Sequence, residues 1–340
     1  MGGGEFIDFD TTRKHRTHSS GAFGSVSDDT YQKIGRVTSA NAALLPLVNG
    51  KCRTVDCFHR HPIVCMLDVT GSMGDSVYVI YEKLGTFFLE IQKQNYLADP
   101  AISFAAIGDC YCDRAPLQVA QFSQSTELIG YLEKFYIEHG GGGQTSESYE
   151  TMLYYYSKYC ELQNTEVPFL FIIGDEGFYE KVSGEHRRKH FGEPLAGDLG
   201  AEVVFDGIKK KFAGNVFLLH LPYSSGSNAD ERILNQWRAM LGENVIHLDD
   251  PTLVVEVMLG IIAMTMNKRS MKTYLDDFRV LYTADRLKSA VPGPDDTEEK
   301  IRAMRKILAP YSQSVNALAK MELAGSLPAG DDNTYSRRKR

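Results

Sequence analysis

The sequence predicts a doubly wound α/β fold, in which helices cover both faces of a mainly parallel sheet. Three runs of consecutive apolar residues, at 63–67, 169–173 and 216–219, have the length of strands. Wholly apolar strands are typical of a sheet that is buried on both faces. Longer segments with apolar residues at helical spacing separate these runs, which indicates parallel strands joined by helices. With 340 residues, 43% of them hydrophobic, the chain can bury the core of such a sheet.

Taken in order, the predicted elements alternate between strand and helix from residue 62 to residue 266. The strands are predicted at 62–68, 101–107, 117–122, 167–174, 215–221 and 244–248, and the helices at 74–94, 125–138, 146–162, 199–212, 229–241 and 251–266. Two charged helical segments follow, 271–282 and 297–321, and their apolar residues are expected to pack on the domain. The predicted organisation is an extended, partly disordered arm (1–58), an α/β domain (59–266), C-terminal helices (267–324) and a disordered basic tail (325–340).

Oxygen-bearing side chains directly follow two of the predicted strands. Asp68 ends the first strand and Thr70 and Ser72 come just after it, and Asp175 follows the strand at 167–174. In an open α/β sheet, ligands bind at the carboxyl ends of the strands, where the strand order reverses, so these side chains are expected at one edge. Carboxylate and hydroxyl oxygens are hard ligands that suit Mg²⁺, Mn²⁺ or Ca²⁺. Asp, Ser and Thr are also common in turns and helix caps, so the first three residues alone do not establish a metal site.

A glycine-rich loop at 140–143, followed by Gln144 and Thr145, completes the pattern. Asp-x-Thr-x-Ser after one strand, a glycine-rich loop with Thr, and Asp after a later apolar strand together resemble the von Willebrand factor A domain, over roughly positions 60 to 265. That family has a Rossmann-like fold, and its hallmark is a metal-ion-dependent adhesion site. The resemblance assigns the ion to these five residues: Asp68, Thr70, Ser72, Thr145 and Asp175.

The glycine-rich loop departs from one form of the family motif. Some relatives carry Gly-Gly-Gly-Asp followed two residues later by Pro-Glu, whereas this chain has Gln144 where that Asp falls. Thr145 fits the commoner Gly-Gly-x-Thr form, in which a hydroxyl meets the ion, and the amide oxygen of Gln144 is the alternative ligand. Glu147 is expected to begin the next helix.

The resemblance implies a protein-binding module that depends on a divalent cation and has no enzymatic activity. In the family, hydroxyls bind the ion directly, carboxylates act largely through water, and one coordination position stays open. An Asp or Glu of a partner protein can complete the octahedron that Mg²⁺ requires, so the ion bridges two polypeptides. One Mg²⁺ is expected, with Mn²⁺ or Ca²⁺ as alternatives. Many intracellular relatives work beside AAA+ ATPases or within larger assemblies, which suggests the same kind of partner here.

Two other functions are compatible with parts of this pattern. A magnesium-dependent phosphohydrolase of the haloacid dehalogenase type also places an Asp after an apolar strand. Its signature is similar to Asp-x-Asp-x-Thr, in which the second Asp acts as acid and base, but this chain has Thr70 at that position. The other alternative is a structural or assembly subunit whose metal site is vestigial.

Charge and the lengths of apolar runs argue against nucleic acid and membranes as partners. The formal net charge is −7 and the pI is near 5.8, whereas phosphate binding needs clustered Lys and Arg. The longest apolar run, at 253–266, is shorter than the roughly 20 residues of a membrane-spanning helix. There is no signal-peptide pattern, and the six cysteines have no framework spacing, so a cytoplasmic location is expected.

Two groups of residues resemble zinc sites only in part. One group comprises Cys52, Cys57, His59 and His61, which lack both the spacing and the flanking helix of a zinc finger. The other is the pair His186 and His190, where three cations between the imidazoles repel a dication and a solvated loop or a partner-binding surface is favoured. His186 and His190 belong to an insertion at 178–198. This insertion is expected near the ion because it follows Asp175, and it is expected to influence partner choice.

Overall fold

The computed structural model describes residues 42–138, 145–223, 228–288 and 295–325. The central sheet contains β1 (His61–Asp68), β2 (Pro100–Ile107), β3 (Leu117–Val119), β4 (Phe169–Gly174), β5 (Val216–His220) and β6 (Val245–His247). The strand order is β6-β5-β4-β1-β2-β3, and within the sheet only β3, at one edge, runs antiparallel to its neighbour. The order therefore reverses between β1 and β4, which are adjacent and parallel.

Nine α-helices are present in the described residues. They are α1 (Ser76–Gln94), α2 (Glu127–Leu132), α3 (Tyr149–Tyr159), α4 (Gly184–Phe191), α5 (Ala201–Lys211), α6 (Ala229–Leu241), α7 (Val254–Thr265), α8 (Met271–Lys288) and α9 (Thr297–Gly325). In the same described ranges, three short 3-10 helices lie at Gly71–Met73, Gly242–Asn244 and Pro251–Leu253. Of the nine, α7 is the most apolar, but none of the described helices is long and apolar enough to cross a membrane.

Four pairs of short strands lie outside the central sheet. Two pairs are parallel, Val55–Cys57 with Cys160–Leu162 and Ser146–Glu147 with Gly177–Phe178, and two are antiparallel, Leu47–Val48 with Lys51–Cys52 and Lys181–Val182 with Leu199–Gly200. The pair formed by Ser146–Glu147 is important for the site, because it ties the segment after the glycine-rich loop to the segment after β4.

Each face of the sheet is covered by its own layer of helices, as the sequence predicts. All eight residues of β1 are buried. Ile63, Cys65 and Leu67 pack in a core with α1 and α7, whereas Val64 and Met66 pack on the opposite face with α3, α5 and α6. Burial of each such side chain contributes about 1.5–3 kcal/mol, so a strand that is apolar on both faces is stable only between two helical layers. The doubly wound α/β prediction is confirmed.

The segment after β3 differs from its prediction because tertiary hydrogen bonds replace helical ones. The helix predicted at 125–138 ends at Leu132. The buried amide of Gln118 accepts a hydrogen bond from Tyr136 N (2.7 Å) and donates one to Tyr136 O (2.8 Å), and Glu138 accepts hydrogen bonds from the backbone of the loop after β2. These contacts hold the chain extended along the sheet.

The insertion after β4 contains a regular helix, α4, where a solvated loop was one expectation. Its N-terminus is capped by Ser183, whose hydroxyl accepts hydrogen bonds from Glu185 N and His186 N, and it ends at Gly192, with φ 69°. Glu193 accepts hydrogen bonds or ion pairs from two tyrosines and two cations, which attach the end of the insertion to α3; these donors are Tyr154, Tyr159, Lys158 and Arg187. Three of these donors belong to α3 and attach the insertion to that helix, whereas Arg187 belongs to α4 itself.

The segments that flank the domain also pack against it where the structure describes them. Leu44, which lies in the predicted arm, is buried in the same core as α1, and Val119 N donates a hydrogen bond to Leu44 O. Helices α8 and α9 bury apolar residues in that core, among them Leu275, Phe278 and Met304. Residues 1–41 and 326–340 lie outside the described residues.

Candidate metal centre

The sheet register brings Asp68 and Asp175 to one edge. In the parallel pair β1–β4, Leu67 is the register partner of Ile173. Asp68 therefore lies one residue beyond the last paired position, and Asp175 lies two beyond it. Both side chains are buried, with 0% and 2% of their surface exposed. The predicted location, at the carboxyl ends of the strands beside the reversal of strand order, is the one that the fold produces.

A chain of short contacts joins four of the five predicted side chains. Thr70 donates hydrogen bonds to Asp68 Oδ1 from its backbone N (2.9 Å) and from its hydroxyl (2.6 Å). Thr70 Oγ1 lies 3.1 Å from Ser72 Oγ, and Ser72 Oγ donates to Asp175 Oδ1 at 3.1 Å. The contacts between Asp68 and Thr70 are those of an ordinary Asx turn. The contact between Ser72 and Asp175 is not local, since 103 residues separate them.

The arrangement of the two hydroxyls is suited to a cation. Each hydroxyl has a single proton. When a cation holds Asp68 and Asp175 in their ionised forms, these carboxylates can accept the protons of Thr70 and Ser72, and lone pairs of both hydroxyl oxygens are then free to face the ion. In an octahedron with bonds of about 2.1 Å, neighbouring ligand oxygens lie about 3 Å apart. Ser72 Oγ lies 3.1 Å from both Thr70 Oγ1 and Asp175 Oδ1, and these distances match the edges of such an octahedron. Ser72 is also a hydrogen-bond partner of Glu176.

Tyr149, the first residue of α3, orients the carboxylate of Asp68. Its hydroxyl donates a short hydrogen bond to Asp68 Oδ2, so both oxygens of this carboxylate have a partner. Tyr149 is fully buried, and its ring packs edge-on against Trp237. Gly174 provides the space, because a Cβ at that position would lie only 2.0 Å from Tyr149 Oη and 3.1 Å from Asp68 Cβ. Neither Tyr149 nor Gly174 was predicted from the sequence to contribute to the site.

The structure places Thr145 differently from the other four predicted ligands. Its hydroxyl accepts a short hydrogen bond from the guanidinium of Arg232, an exposed residue of α6. Its backbone carbonyl accepts a hydrogen bond from Gly177 N (3.1 Å), so the residue does lie beside the segment that follows Asp175. The structure thus brings Thr145 to the same edge of the sheet as the other four residues, but Thr145 is not part of the hydrogen-bonded chain that joins them. The alternative ligand, Gln144, lies outside the described residues.

Two further carboxylates, Glu147 and Glu176, lie near the predicted ligands. The prediction that Glu147 begins a helix is wrong, because it pairs with Phe178 in a short strand and α3 begins two residues later. Only 4% of Glu147 and 3% of Glu176 is exposed, and one oxygen of each has no hydrogen-bond partner among the described residues. One sequence signal for Glu147 exists, since Ser146-Glu147 stands where some von Willebrand factor A domains, which the sequence resembles, have Pro-Glu.

The four carboxylates are difficult to ionise in the absence of a cation. Burial is the main cause and repulsion between them adds to it. Burial and the nearby charge of Asp68 raise the pKa of Asp175 to about 8, that of Glu176 to about 7 and that of Glu147 to about 11. Burial also raises the pKa of Asp68, although its hydrogen bonds with Thr70 and Tyr149 lower it. None of the ion pairs in the described part of the chain involves these four groups.

These observations fit a divalent cation bound through carboxylates and hydroxyls together. No three His, Cys, Asp or Glu side chains in the described ranges are arranged to hold one ion. A cation at this edge therefore depends on the oxygens of Thr70 and Ser72 in addition to Asp68 and Asp175. Glu147 and Glu176 would lie outside the ligand shell, and burial, which raises the pKa of both carboxyl groups, favours their neutral forms. Among the described residues, neither the cysteines and histidines at 52–61 nor the histidines at 186–190 form a cluster that could hold a metal ion.

Comparison with known proteins gives a distant similarity. No family model matches the chain, and no curated protein matches it. Similar solved structures include two crystal structures of the pilus adhesin SpaC from Lactobacillus rhamnosus GG, one of them in an open conformation. Their sequence identities are 9% and 8%, and their TM-scores are 0.42 and 0.43. The alignments cover 64% of this chain but 32% and 31% of the adhesin, so the chain spans about a third of the adhesin's length.

Proposed function

We propose that this chain is a protein-binding module that depends on a divalent cation and carries out no chemical reaction. The ion, Mg²⁺ in our proposal, is held by Asp68, Thr70, Ser72 and Asp175, and a carboxylate of a partner protein completes its coordination. The contact between Ser72 Oγ and Asp175 Oδ1 carries this proposal. It joins two loops that come from different strands, and it places a hydroxyl oxygen within 3.1 Å of both another hydroxyl and a carboxylate.

Charge supports a role in binding an outside acid. The ion carries two positive charges, and Asp68 and Asp175 supply two negative ones, so the ion and its carboxylate ligands together are neutral. Mg²⁺ requires six ligands in a near-ideal octahedron and usually keeps several waters. The four side chains of this centre cannot fill that octahedron with one oxygen each. A partner's Asp or Glu can replace a bound water, which links two proteins through one ion.

Thr145 is the proposed fifth ligand, and Arg232 competes with the ion for it. A guanidinium and a dication repel each other, so both are unfavourable on one hydroxyl. Arg232 is exposed and is in no ion pair with a described carboxylate, so its side chain can turn into solvent. Coordination by Thr145 would therefore require Arg232 to release it.

The partner is proposed to be a protein, and an AAA+ ATPase or a larger complex is the kind of partner that the sequence resemblance suggests.

The test is affinity purification with the wild-type chain and with Ser72→Ala/Asp175→Ala, each in Mg²⁺ and in chelator. Proteins held through the ion should be recovered only by wild type in Mg²⁺. Ser157→Ala/Asp206→Ala is the matched control, because it removes the same groups at positions outside the candidate centre and should behave as wild type. If wild type and Ser72→Ala/Asp175→Ala recovered the same proteins in Mg²⁺ and in chelator, the metal bridge would be rejected.

A further inference from the structure

A second surface on the same edge of the sheet has the chemistry of a peptide-binding site. It is a cavity of about 540 Å³, called the side cavity below, between the loop after β2 and the insertion after β4. Its walls include Tyr111 from the first segment and His186, Arg188, Lys189 and Leu195 from the second. The volume is within the range of pockets that hold drug-sized ligands, and so it is sufficient for a few side chains.

Two apolar side chains in the side cavity are exposed to an unusual degree. Tyr111 is 59% exposed and Leu195 is 61% exposed, and they are two of six large hydrophobic residues in the described chain with such exposure. Single exposed apolar residues are normal on a surface, but two that line one cavity mark a site of interaction. Aromatic residues that are held in place also provide contact area at a low cost in conformational entropy.

Tyr111 is held in place by its neighbours. Its ring lies 4.4 Å from the ring of His186, edge to face, and 4.7 Å from the ring of Tyr179. Its backbone N donates a hydrogen bond to Asp109 Oδ1 (3.0 Å). Burial lowers the pKa of His186, so this imidazole is an uncharged aromatic wall at neutral pH. The apolar part of the side cavity is therefore ordered without a ligand.

The side cavity also carries cations that have no ion-pair partner among the described residues. Arg188 and Lys189 are exposed in the last turn of α4, and neither forms an ion pair with a described carboxylate. The preceding residue, Arg187, is by contrast paired with Glu193. Cations in this turn are favourable for the helix dipole, which explains their presence in α4 but leaves their charge open to an external acid. Glu185 is the acidic residue on the wall, so the lining has a net positive charge in a chain of net charge −7.

A short hydrogen-bonded path connects the side cavity to the candidate metal centre. Tyr179 Oη donates to Asp109 Oδ2 (3.2 Å), and Ser148 Oγ donates to Asp109 Oδ1 (3.3 Å). Ser148 follows Glu147, the carboxylate near the ion. The path runs through the buried side chains of Asp109 and Ser148, so the side cavity and the candidate metal centre share one hydrogen-bonded network.

We propose that the side cavity binds an acidic segment of the same partner protein whose carboxylate reaches the ion. In this arrangement a large apolar side chain of the partner packs against Tyr111 and Leu195, and neighbouring carboxylates of the partner face Arg188 and Lys189. The inference rests on the proposed function for the position of the partner. It adds a requirement that the ion alone does not impose, namely an apolar residue and further acids next to the bridging one.

The test uses a phage-displayed library of short random peptides, selected on the full chain in Mg²⁺. Enriched peptides are expected to combine Asp or Glu with an aromatic or large aliphatic residue. Tyr111→Ala and Arg188→Gln/Lys189→Gln should each weaken binding of the synthetic peptides by about tenfold, as for a central interface residue. Leu89→Ala and Lys209→Gln/Lys210→Gln are matched controls, because they remove an exposed apolar residue and two cations from the last turn of another helix. These controls should bind as wild type does.

The outcomes separate this inference from the proposed function. Peptides that are lost on chelation but bind the side-cavity variants normally would overturn the inference and leave the metal bridge in place. Peptides that are weakened by the side-cavity variants but unaffected by chelation or by Asp68→Asn would reject the metal bridge and support the side cavity as an acidic-peptide site. Failure to enrich acidic peptides would also overturn the inference. Far-UV circular dichroism and Mg²⁺ titration calorimetry of the side-cavity variants and their controls establish that fold and ion binding are intact in them.

Discussion

Asp68→Asn is expected to abolish the stabilisation of this protein by Mg²⁺ while leaving the fold intact. An ion that binds only the native state stabilises it by about 2.7 kcal/mol at a concentration of 100 Kd. For a domain of this size that corresponds to a rise in Tm of roughly 5–10 °C. Asn has the size of Asp, and its amide oxygen can still accept the hydrogen bonds from Thr70. The substitution therefore removes the charge that attracts the ion and retains the turn.

Thermal unfolding in Mg²⁺ and in chelator measures this effect. In chelator, the variant should be as stable as wild type or slightly more stable, because burial disfavours the charged form of Asp68. Asp206→Asn is the control, since Asp206 lies on the exposed side of α5 and its side chain is 76% exposed. An equal response to Mg²⁺ in wild type and in Asp68→Asn would show that Asp68 does not hold the ion.

Gly174→Ala is expected to disrupt the centre although it adds a single methyl group to a buried strand. The new Cβ would lie 2.0 Å from Tyr149 Oη, so Tyr149 must move and its hydrogen bond to Asp68 is lost. Overpacking of this kind costs about 1–3 kcal/mol. Loss of a partner outside the ligand shell typically weakens metal binding by about 10- to 100-fold.

The same substitution at Gly85 is the matched control for Gly174→Ala. A Cβ at Gly85, within α1, meets nothing within 4 Å, so Gly85→Ala is expected to stabilise the helix by about 0.5–1 kcal/mol. Tyr149→Phe removes the hydroxyl without adding volume, and it should weaken Mg²⁺ binding without the cost of overpacking. Urea unfolding and Mg²⁺ titration calorimetry measure the two effects separately. If Gly174→Ala were as benign as Gly85→Ala, Tyr149 would have no role in positioning Asp68.

The parts of the site that are local in sequence could be predicted, and the parts that depend on tertiary packing could not. Asp68, Thr70 and Ser72 follow one strand within five residues, and the apolar run before Asp175 identifies its strand. By contrast, the hydrogen bond between Arg232 and Thr145 joins residues that are 87 positions apart. No periodic pattern encodes such a contact, because it depends on where α6 packs.

Buried polar residues explain most of the remaining differences. Glu147, Tyr149 and Glu176 are polar or charged, and a hydropathy pattern places such residues on the surface. Here the sheet edge buries all three beside Asp68. Gln118 acts in the same way at the other side of the sheet, where its amide pairs with Tyr136 and prevents the predicted helix from extending. In both places, side-chain hydrogen bonds and burial override local propensity.

In our proposal, Asp68, Thr70, Ser72 and Asp175 hold one divalent cation. The most direct measurement is an anomalous difference map from crystals grown in Mn²⁺, which can replace Mg²⁺ at a site built from oxygen ligands. We predict a single strong peak at the edge of β1 and β4, at bonding distance from Ser72 Oγ, that is absent in Ser72→Ala/Asp175→Ala. A map with no peak at this edge, or with a peak there that survives in the variant, would contradict the account.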